Sequence, residues 1–274
     1  MTTEEPERTG SFDPEQYWSN RLEQSFSLGG VGWLGLGESF NRWLYAVRRR
    51  VFLRAVRGRI RLESARVLDI GTGTGFYVEL WRELGVPDLT GTDLTAVAVD
   101  RLRDRYPGIR FEQVDISAPL VDLEGPYDAI SAMDVLFHIV DDDGYAHALQ
   151  NLSALLVPGG RLIFTEFLLH HDTRRGRHET DRSLEQIEDL LNQVGLQIEQ
   201  RRPVFVLMNT PVDSSNRLLR RAWAGVDLLV RRGHLWGNLV GAALYPVELT
   251  LTRVLQEGPS TEIVVCRKVD AASL

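Results

Sequence analysis

Short apolar runs alternate with segments of helical periodicity between residues 66 and 166. The runs have the length and the β-branched content of buried strands, and the segments between them are long enough for helices. This alternation predicts an α/β fold built on a doubly wound, mainly parallel sheet. The predicted strands lie at 67–70, 88–92, 110–114, 127–132, 156–164, 196–207 and 261–267.

The first predicted strand ends in a turn with glycine at every second position, Gly71, Gly73 and Gly75. A helix is predicted directly after this turn, from Phe76 to Leu84. Because glycine has no Cβ, a strand, a glycine turn and a helix N-terminus together let the backbone approach a ligand closely. A dinucleotide-binding fingerprint has its third glycine one position later, where this chain has Phe76. The spacing therefore argues against a nicotinamide or flavin cofactor.

Four aspartates lie at or directly after the carboxyl ends of predicted parallel strands: Asp69, Asp93, Asp115 and Asp134. Ligands of open α/β sheets bind beyond these strand ends. Four carboxylates at one rim therefore indicate a binding site. Asp69 would crowd a pyrophosphate, but it suits a ligand that carries positive charge.

Together these residues resemble the class I S-adenosylmethionine (SAM)-dependent methyltransferases, from about Arg66 to Glu166 and weakly in the final strand. The resemblance implies a Rossmann-like fold, SAM as cofactor, S-adenosylhomocysteine as product, and an antiparallel end of the sheet formed by the last two strands. In that family the first acid and the glycine turn hold the methionine part, the second acid bonds the ribose hydroxyls, and the third contacts the adenine amino group. The cofactor-binding residues implied here are Asp69, Gly71, Thr72, Gly73, Gly75, Asp93, Leu94, Asp115, Ile116 and Met133.

The N-terminal region does not belong to the alternation of strands and helices. Asp13 as N-cap and Pro14 in the first turn predict a helix to about Gln24. Tyr17 and Trp18 share one face of this helix and could cover the sulfonium of the cofactor through cation–π attraction. The alternative is an ordinary helix that packs its aromatic side chains on the core.

Residues 27–40 contain five glycines interleaved with apolar residues, among them Trp33. This composition is typical of a mobile loop that closes over an apolar molecule, although a tightly packed irregular connection is also possible. We expect Tyr17, Trp18 and Trp33 to form a lid and to contact the substrate.

We expect two regions: a helical cap or lid over residues 1–62 and a Rossmann-like SAM-binding domain over residues 63–274. Between the last two predicted strands lies a segment, 208–260, that is longer than a simple connection. It contains a predicted helix at 217–232 and an apolar run. We expect this insertion to cover the substrate.

A predicted helix at 41–59 has an apolar stripe bordered by arginines. Eight arginines lie in it or next to it: Arg42, Arg48, Arg49, Arg50, Arg54, Arg57, Arg59 and Arg61. A basic helix can bind RNA or an anionic membrane surface, or it can be a solvated face neutralised by nearby acids. Because the net charge of −7 and the pI near 5.5 give no overall attraction to nucleic acid, we expect no nucleic-acid partner.

The single cysteine, Cys266, lies in the apolar final strand and excludes an internal disulfide. Residues 1–10 are polar and acidic, unlike a signal peptide, and no apolar run approaches the roughly 20 residues that span a bilayer. These features predict a cytoplasmic protein without a membrane span.

His138 lies near the predicted cofactor rim and is the candidate general base for methyl transfer. A structural role for this histidine, beside apolar neighbours, stays open. His170, His171 and His178 lack the regular spacing of metal ligands, so we expect no bound metal.

The chain lacks the Asn-Pro-Pro-aromatic motif of nucleobase amine methyltransferases, the Pro-Cys nucleophile of cytosine C5 enzymes and the Asp-Asn metal pair of catechol-type enzymes. The resemblance then implies metal-independent methyl transfer to an oxygen or nitrogen of a small, partly apolar molecule, such as a natural product or a glycan or lipid precursor. Two alternatives stay open: a methyltransferase that acts on RNA or protein, and a non-catalytic SAM-binding scaffold.

Overall fold

The computed structural model describes residues 12–269, and a seven-stranded sheet forms its centre. The strands in chain order are β1 (Arg66–Ile70), β2 (Asp88–Asp93), β3 (Arg110–Gln113), β4 (Tyr127–Ala132), β5 (Leu156–Glu166), the separate small hairpin of β6 (Arg174–Arg175) and β7 (Thr180–Asp181), then β8 (Leu196–Pro203) and β9 (Glu262–Lys268). The order across the sheet is β3-β2-β1-β4-β5-β9-β8, and β9 is antiparallel to both of its neighbours while the other adjacent pairs are parallel. The predicted doubly wound α/β fold with an antiparallel final strand is confirmed.

Helices cover both faces of the sheet and form the N-terminal region. The α-helices of the described residues are α1 (Pro14–Gln24), α2 (Leu28–Val31), α3 (Gly37–Val56), α4 (Phe76–Glu83), α5 (Ala96–Arg105), α6 (Asp142–Ala154), α7 (Leu184–Gln193), α8 (Arg217–Val230) and α9 (His234–Val254). Short 3-10 helices lie at Leu34–Leu36, Leu62–Ser64 and Leu136–His138. The Asp13 side chain accepts a 3.1 Å hydrogen bond from Gln16 N, so the predicted cap of α1 is confirmed. The predicted absence of a signal peptide concerns residues 1–10, which lie outside the described part of the chain.

Side chains alternate along each strand, and the sheet therefore separates two hydrophobic layers. Val67 of β1 packs in the layer formed with α3, α4 and α5. Its neighbour Leu68 packs in the layer formed with α6 and α7. The carboxyl ends of β1, β2 and β4 emerge between these layers at one edge, where the predicted site residues lie.

The glycine-rich segment 27–40 is largely helical, so the prediction of a loop there is wrong. α2, the 3-10 helix at 34–36 and the first turn of α3 occupy most of it. A Cβ on Gly30 would collide with the carbonyl oxygen of Ser25, and a Cβ on Gly32 would lie 2.5 Å from Asn41 Oδ1. The glycines allow close backbone packing here, which composition alone does not distinguish from a loop.

The insertion between β8 and β9 contains α8 and α9, and α9 packs along α3. Gly241 of α9 lies so close to Trp43 of α3 that a Cβ would collide with the indole ring. Glu248 is buried and accepts hydrogen bonds from the backbone N–H groups of residues 206–208. The apolar run predicted in this insertion is therefore helix α9, which contacts α3 at Gly241 and the segment after β8 at Glu248. In the part of the chain that the structure describes, no helix has the length and apolar character needed to cross a membrane.

Candidate active site at the carboxyl edge of the sheet

The glycine turn follows β1, and its three glycines, Gly71, Gly73 and Gly75, all have positive φ angles. Gly71 has a φ of +66°, and a Cβ there would collide with Val135 in the segment that follows β4. Gly73 has a φ of +52°, and its N–H donates a 2.8 Å hydrogen bond to Asp93 Oδ2. Residues that carry a Cβ rarely adopt this left-handed conformation. The turn therefore contacts the end of β2 through Asp93 and the segment after β4 through Val135.

Asp93, at the end of β2, is a buried carboxylate with three hydrogen bonds. Oδ2 accepts from Gly73 N, and Oδ1 accepts from Thr95 N at 2.9 Å and from Thr95 Oγ1 at 2.8 Å. Burial raises the pKa of Asp93, and these hydrogen bonds counteract that rise. Since a carboxylate has about four acceptor positions, one position on Oδ2 is left for a ligand hydroxyl.

Asp69 lies in β1, two residues before the first glycine of the turn. Its side chain is buried, and Oδ1 accepts a hydrogen bond from Ser131 Oγ. Ser131 Oγ in turn accepts a 2.9 Å hydrogen bond from Trp81 Nε1. Burial raises the pKa of Asp69 to about 7, and the hydrogen bond from Ser131 opposes that rise. The observed side-chain hydrogen bond of Asp69 therefore joins β1 to β4, and its role in cofactor binding stays a prediction.

The predicted adenine side of the groove lies beyond β2 and β3. Asp115 is exposed, and its Oδ1 accepts hydrogen bonds from Ser117 N at 2.9 Å and from Ser117 Oγ at 2.6 Å. Ile116 is buried, and Leu94 is half-buried. The Leu94 carbonyl accepts a 3.1 Å hydrogen bond from Gln113 Nε2. These residues form one border of the groove, with a carboxylate at its open end.

Asp134 follows β4 in a strained conformation and forms an ion pair with Arg48. Its φ of +59° is rare for a residue other than glycine. Oδ2 accepts a 2.7 Å hydrogen bond from Arg48 Nε, and the Asp134 N–H donates to Thr165 Oγ1 at 2.6 Å. Met133, the predicted cofactor residue just before it, is buried. Strained backbone of this kind is found at functional sites, and here the ion pair and the Thr165 contact hold it in place.

Arg48 is a site residue that sequence reasoning missed. Its guanidinium lies 5.2 Å from the ring centroid of Tyr45 and 4.8 Å from that of Phe205. A signal was present in the sequence, because Arg48 lies four residues after Leu44 and three before Val51 and so interrupts the apolar stripe of α3. A charge on the buried face of a helix needs a partner, and Asp134 provides one.

Buried hydroxyl groups without partners lie beside this ion pair and in the glycine turn. Burial raises the pKa of Tyr45 to about 12 and holds the pKa of Tyr77 well above its ordinary value. Within residues 12–269 neither Tyr77 OH nor Thr72 Oγ1 has a hydrogen-bond partner. An unpaired buried polar atom is unfavourable, so these two hydroxyls would gain from a hydrogen bond to a polar ligand.

His138 lies in the 3-10 helix that follows Asp134, and its ring orientation is fixed. Nδ1 lies 2.8 Å from the carbonyl oxygen of His178, which can only accept, so Nδ1 carries the proton and Nε2 has the free lone pair. Burial lowers the pKa of His138 to about 4, and the hydrogen bond to His178 partly offsets this. The ring is therefore neutral at neutral pH, in the tautomer in which Nε2 can accept a proton.

Helix α1 places two of the three predicted lid residues against the histidines of the candidate site, Trp18 on His138 and Tyr17 on His178. The ring centroid of Trp18 lies 4.9 Å from that of His138, and the Tyr17 ring stacks on His178 at 5.7 Å. Arg21 lies over the Trp18 ring at 4.8 Å and donates a 2.8 Å hydrogen bond to the carbonyl at the end of α2. One arginine therefore joins the aromatic face of α1 to the glycine-rich segment.

The third predicted lid residue, Trp33, lies elsewhere. It is 42% exposed, and its ring centroid is 6.2 Å from that of Trp223 in α8. Val31 of the same segment lies over the glycine turn instead. A Cβ added to Gly73 would be 3.4 Å from its Cγ1. Sequence reasoning missed Val31, since no pattern distinguishes it from the other apolar residues of this segment.

Two of the three histidines that lack metal-ligand spacing, His170 and His171, lie beside the carboxylate of Asp213. His170 Nδ1 lies 2.5 Å from Asp213 Oδ2, and His171 Nε2 lies 3.6 Å from Asp213 Oδ1. Among the described residues, no group of three His, Cys, Asp or Glu side chains could hold a metal ion. Metal-independent chemistry stays a prediction.

Comparison with known sequences shows two kinds of similarity. A model of the methyltransferase domain matches residues 40–202, which is more than half of the chain. The ubiquinone biosynthesis O-methyltransferase of Bordetella avium is 32% identical over 108 residues, and that of Xylella fastidiosa is 37% identical over 112 residues. Each match covers 38% of this chain and 43% of the relative, so the chain spans less than half the length of these curated relatives.

Comparison with solved structures shows the fold. The 1,6-didemethyltoxoflavin-N1-methyltransferase of Burkholderia thailandensis, with bound 1,6-didemethyltoxoflavin and S-adenosylhomocysteine, has a TM-score of 0.55 at 19% identity and aligns over 97% of this chain and 94% of that one. The CcbJ methyltransferase of Streptomyces caelestis has a TM-score of 0.56 at 13% identity over 94% of this chain and 100% of that one. The chain therefore belongs to the methyltransferase domain family, and its class I SAM-dependent type, predicted from the glycine turn, is confirmed.

Proposed function

We propose that this protein transfers the methyl group of SAM to a hydroxyl group of a small, partly apolar molecule, with His138 as the general base. The observation that carries this proposal is the hydrogen bond from His138 Nδ1 to the His178 carbonyl, which leaves Nε2 free to accept a proton. A nitrogen acceptor, which would arrive neutral and need no base, is the less favoured version.

The residues at the strand ends fit SAM as the cofactor. The positive-φ glycines leave room for close approach, and the remaining acceptor position of Asp93 suits a ribose hydroxyl. The unpaired hydroxyls of Thr72 and Tyr77 supply donors for the polar methionine end. Asp115, with Leu94 and Ile116, would hold the adenine. When bound, SAM supplies a methyl group activated by a positively charged sulfur.

His138 Nε2 would accept the proton of an acceptor hydroxyl, a step that burial of the ring opposes and the Asp134 carboxylate favours. Proton transfer from the acceptor oxygen to Nε2 gives a protonated imidazole, which the nearby carboxylate of Asp134 stabilises electrostatically. Trp18, packed on the His138 ring, would exclude water from the reacting groups. The acceptor would therefore react in a closed, mostly apolar space with one neutral base.

We further propose that the lid is shorter than the predicted cap of residues 1–62. α3 packs into the hydrophobic layer on one side of the sheet, so it belongs to the body of the methyltransferase domain. α1 and α2, joined by Arg21, are the elements that could move. The insertion at 208–260 would then act by supporting α3, and its role in substrate choice stays a proposal.

The sequence relatives support an oxygen acceptor. Both proteins named above are O-methyltransferases of ubiquinone biosynthesis, and their similarity to this chain lies over about a hundred residues. We do not assign the substrate of these relatives to this protein, because the match covers 43% of each relative. We therefore propose the class of acceptor, an apolar molecule with a phenolic or alcoholic hydroxyl.

Two measurements test this proposal. The first is a methyl-transfer screen with labelled SAM against pools of small phenols and alcohols, small amines, RNA and peptides. We expect label in the hydroxyl pool. Label confined to RNA or peptides would establish the macromolecular alternative, and SAM binding without transfer to any pool would favour the scaffold alternative.

The second measurement is the turnover of His138→Gln with the acceptor that the screen identifies. Loss of a general base typically lowers kcat by about 10²–10⁴-fold, while SAM affinity measured by calorimetry should not change. His147→Gln in α6 is the matched control. A variant of His138 that retains full turnover would remove this residue from the mechanism.

A further inference from the structure

Helix α9 has an apolar face that no described part of the chain covers. Its inward face carries the buried residues Gly237, Gly241, Glu248 and Thr252. On the opposite face lie large apolar side chains that are between 41% and 69% exposed: Leu235, Trp236, Leu239, Val247 and Val254. Their spacing follows the helical repeat, so they form one continuous stripe along a helix of 21 residues, about 30 Å long.

The stripe carries no charged side chain between residues 235 and 251. From residue 235 to 251 the only ionisable carboxylate or basic side chain is Glu248, which faces inward and is fully buried. Soluble monomers rarely have so long an exposed apolar surface without a partner. Helix α8 enlarges it, because Leu218 and Leu228 are also exposed.

The segment that contains α8 and α9 is basic. Residues 217–254 contain six arginines, Arg217, Arg220, Arg221, Arg231, Arg232 and Arg253, but only two carboxylates. Of these carboxylates, Glu248 is buried and Asp227 is paired with Arg231 at 2.8 Å. The whole chain has a net charge of −7, whereas the six arginines and two carboxylates of residues 217–254 give this segment a net charge of +4.

The charges on this surface distinguish between two partners that could cover it, a second copy of the chain and an anionic lipid bilayer. In a symmetric dimer through antiparallel α9 helices, Arg232 of one copy would face Arg253 of the other, and these like charges would oppose the contact. An anionic bilayer complements both features, since arginines pair with lipid phosphates while apolar side chains enter the boundary between headgroups and acyl chains.

We propose that α8 and α9 form a docking surface for an anionic lipid bilayer, with α9 lying in the plane of the membrane. The surface binds lipid headgroup phosphates through its arginines and the acyl region through Trp236, Leu239 and Val247. This inference does not depend on the acceptor or on His138, so it can hold or fail separately from the proposed function.

The test is sedimentation of the full-length chain with vesicles of phosphatidylcholine alone and with vesicles that also contain phosphatidylglycerol. We expect binding to the anionic vesicles, weakened by added salt, and much less binding to phosphatidylcholine alone. Leu239→Glu, and separately the double variant Arg220→Glu/Arg221→Glu, should each weaken that binding by at least about tenfold. Leu120→Glu, an exposed apolar position in the segment between β3 and β4, is the matched control and should bind normally.

Three outcomes would overturn the proposal. The first is an absence of binding to anionic vesicles, and the second is an equal loss in Leu120→Glu. The third is a concentration-dependent dimer in analytical ultracentrifugation that Leu239→Glu dissociates, because this would make the face an interface between copies. Circular dichroism of each variant shows that any loss does not come from unfolding, and the arginine variant tests the surface without changing an apolar side chain.

Discussion

Asp93 connects two parts of the cofactor groove at the scale of single atoms. Its Oδ2 accepts a hydrogen bond from Gly73 N, and its Oδ1 accepts one from Thr95 N. Asp93→Ala therefore removes the carboxylate and also the hydrogen bond that fixes the glycine turn. Loss of a charge-assisted contact costs about 1.5–3 kcal/mol, so we expect SAM to bind roughly ten- to a hundredfold more weakly. Calorimetry with the folded variant measures this change.

The control for Asp93 is Asp104→Ala, an exposed aspartate of α5, which should bind SAM like the unmodified protein. Equal SAM affinity in Asp93→Ala and Asp104→Ala would show that Asp93 does not contact the cofactor.

His138 should give the enzyme an unusual pH profile. The active form of a general base is its neutral form, and burial lowers the pKa of His138 to about 4 instead of the usual value near 6.5. As pH falls, kcat/KM should therefore stay constant through pH 6.5 and decline only as pH approaches 4. The measurement is the acid limb of kcat/KM in the pH range where the protein stays folded. An acid limb centred near pH 6.5 would contradict this assignment.

The lowered pKa of His138 also makes the folded protein less stable at acidic pH, which limits the pH range of the kinetic experiment. His138 is neutral in the folded protein but binds a proton in the unfolded chain below about pH 6.5. Between that value and about 4, the unfolded state binds more protons at this position, so this group's contribution to stability is lost as pH falls. Each kinetic point below pH 6.5 therefore needs a parallel check by circular dichroism.

At the scale of secondary-structure elements, Arg21 connects α1 to α2 and stacks on Trp18. Arg21→Ala should let α1 separate from the groove, because it removes a cation–π contact and a hydrogen bond together. We expect kcat/KM for methyl transfer to fall about tenfold, with SAM affinity less affected. Asn20→Ala on the exposed side of α1 is the control. Full activity in Arg21→Ala would show that α1 packs on the body without acting as a lid.

The elements that depend on local sequence were predictable. The strand, glycine turn and helix from Arg66 to Glu83 follow from periodicity and from three glycines, and the acid at the end of β2 follows from its position after an apolar run. These signals lie within one segment of the chain, so the sequence alone specifies them.

Contacts between distant segments were not predictable in the same way. The pairing of Arg48 with Asp134 joins residues 86 positions apart, and periodicity indicates only that Arg48 needs some partner. The close packing of Gly30 and Gly32 likewise depends on tertiary contacts that glycine content does not reveal. The parts of the site that come from one segment, such as the glycine turn, are therefore predictable from sequence. The contact that α3 adds through Arg48 is not predictable in this way.

At the scale of the whole molecule, α3 joins the candidate active site to the outer helices. Arg48 on its inner side pairs with Asp134, while Trp43, about one turn earlier, packs on Gly241 of α9. A change in the packing of α9 should therefore alter the position of Arg48. This connection allows a test far from the chemistry.

Gly241→Ala is the last prediction, and Gly225→Ala in α8 is its matched control. A methyl group at Gly241 would collide with the Trp43 indole, so α3 and α9 must separate, and such overpacking typically costs about 1–3 kcal/mol of unfolding free energy. The control position has no atom within 4 Å of an added Cβ, so Gly225→Ala should be neutral or stabilising by up to about 1 kcal/mol. Urea unfolding measures both. We also expect Gly241→Ala to lower methyl transfer by weakening the Arg48–Asp134 pair, and a Gly241→Ala variant with unchanged stability and turnover would show that α3 does not transmit α9 packing to the site.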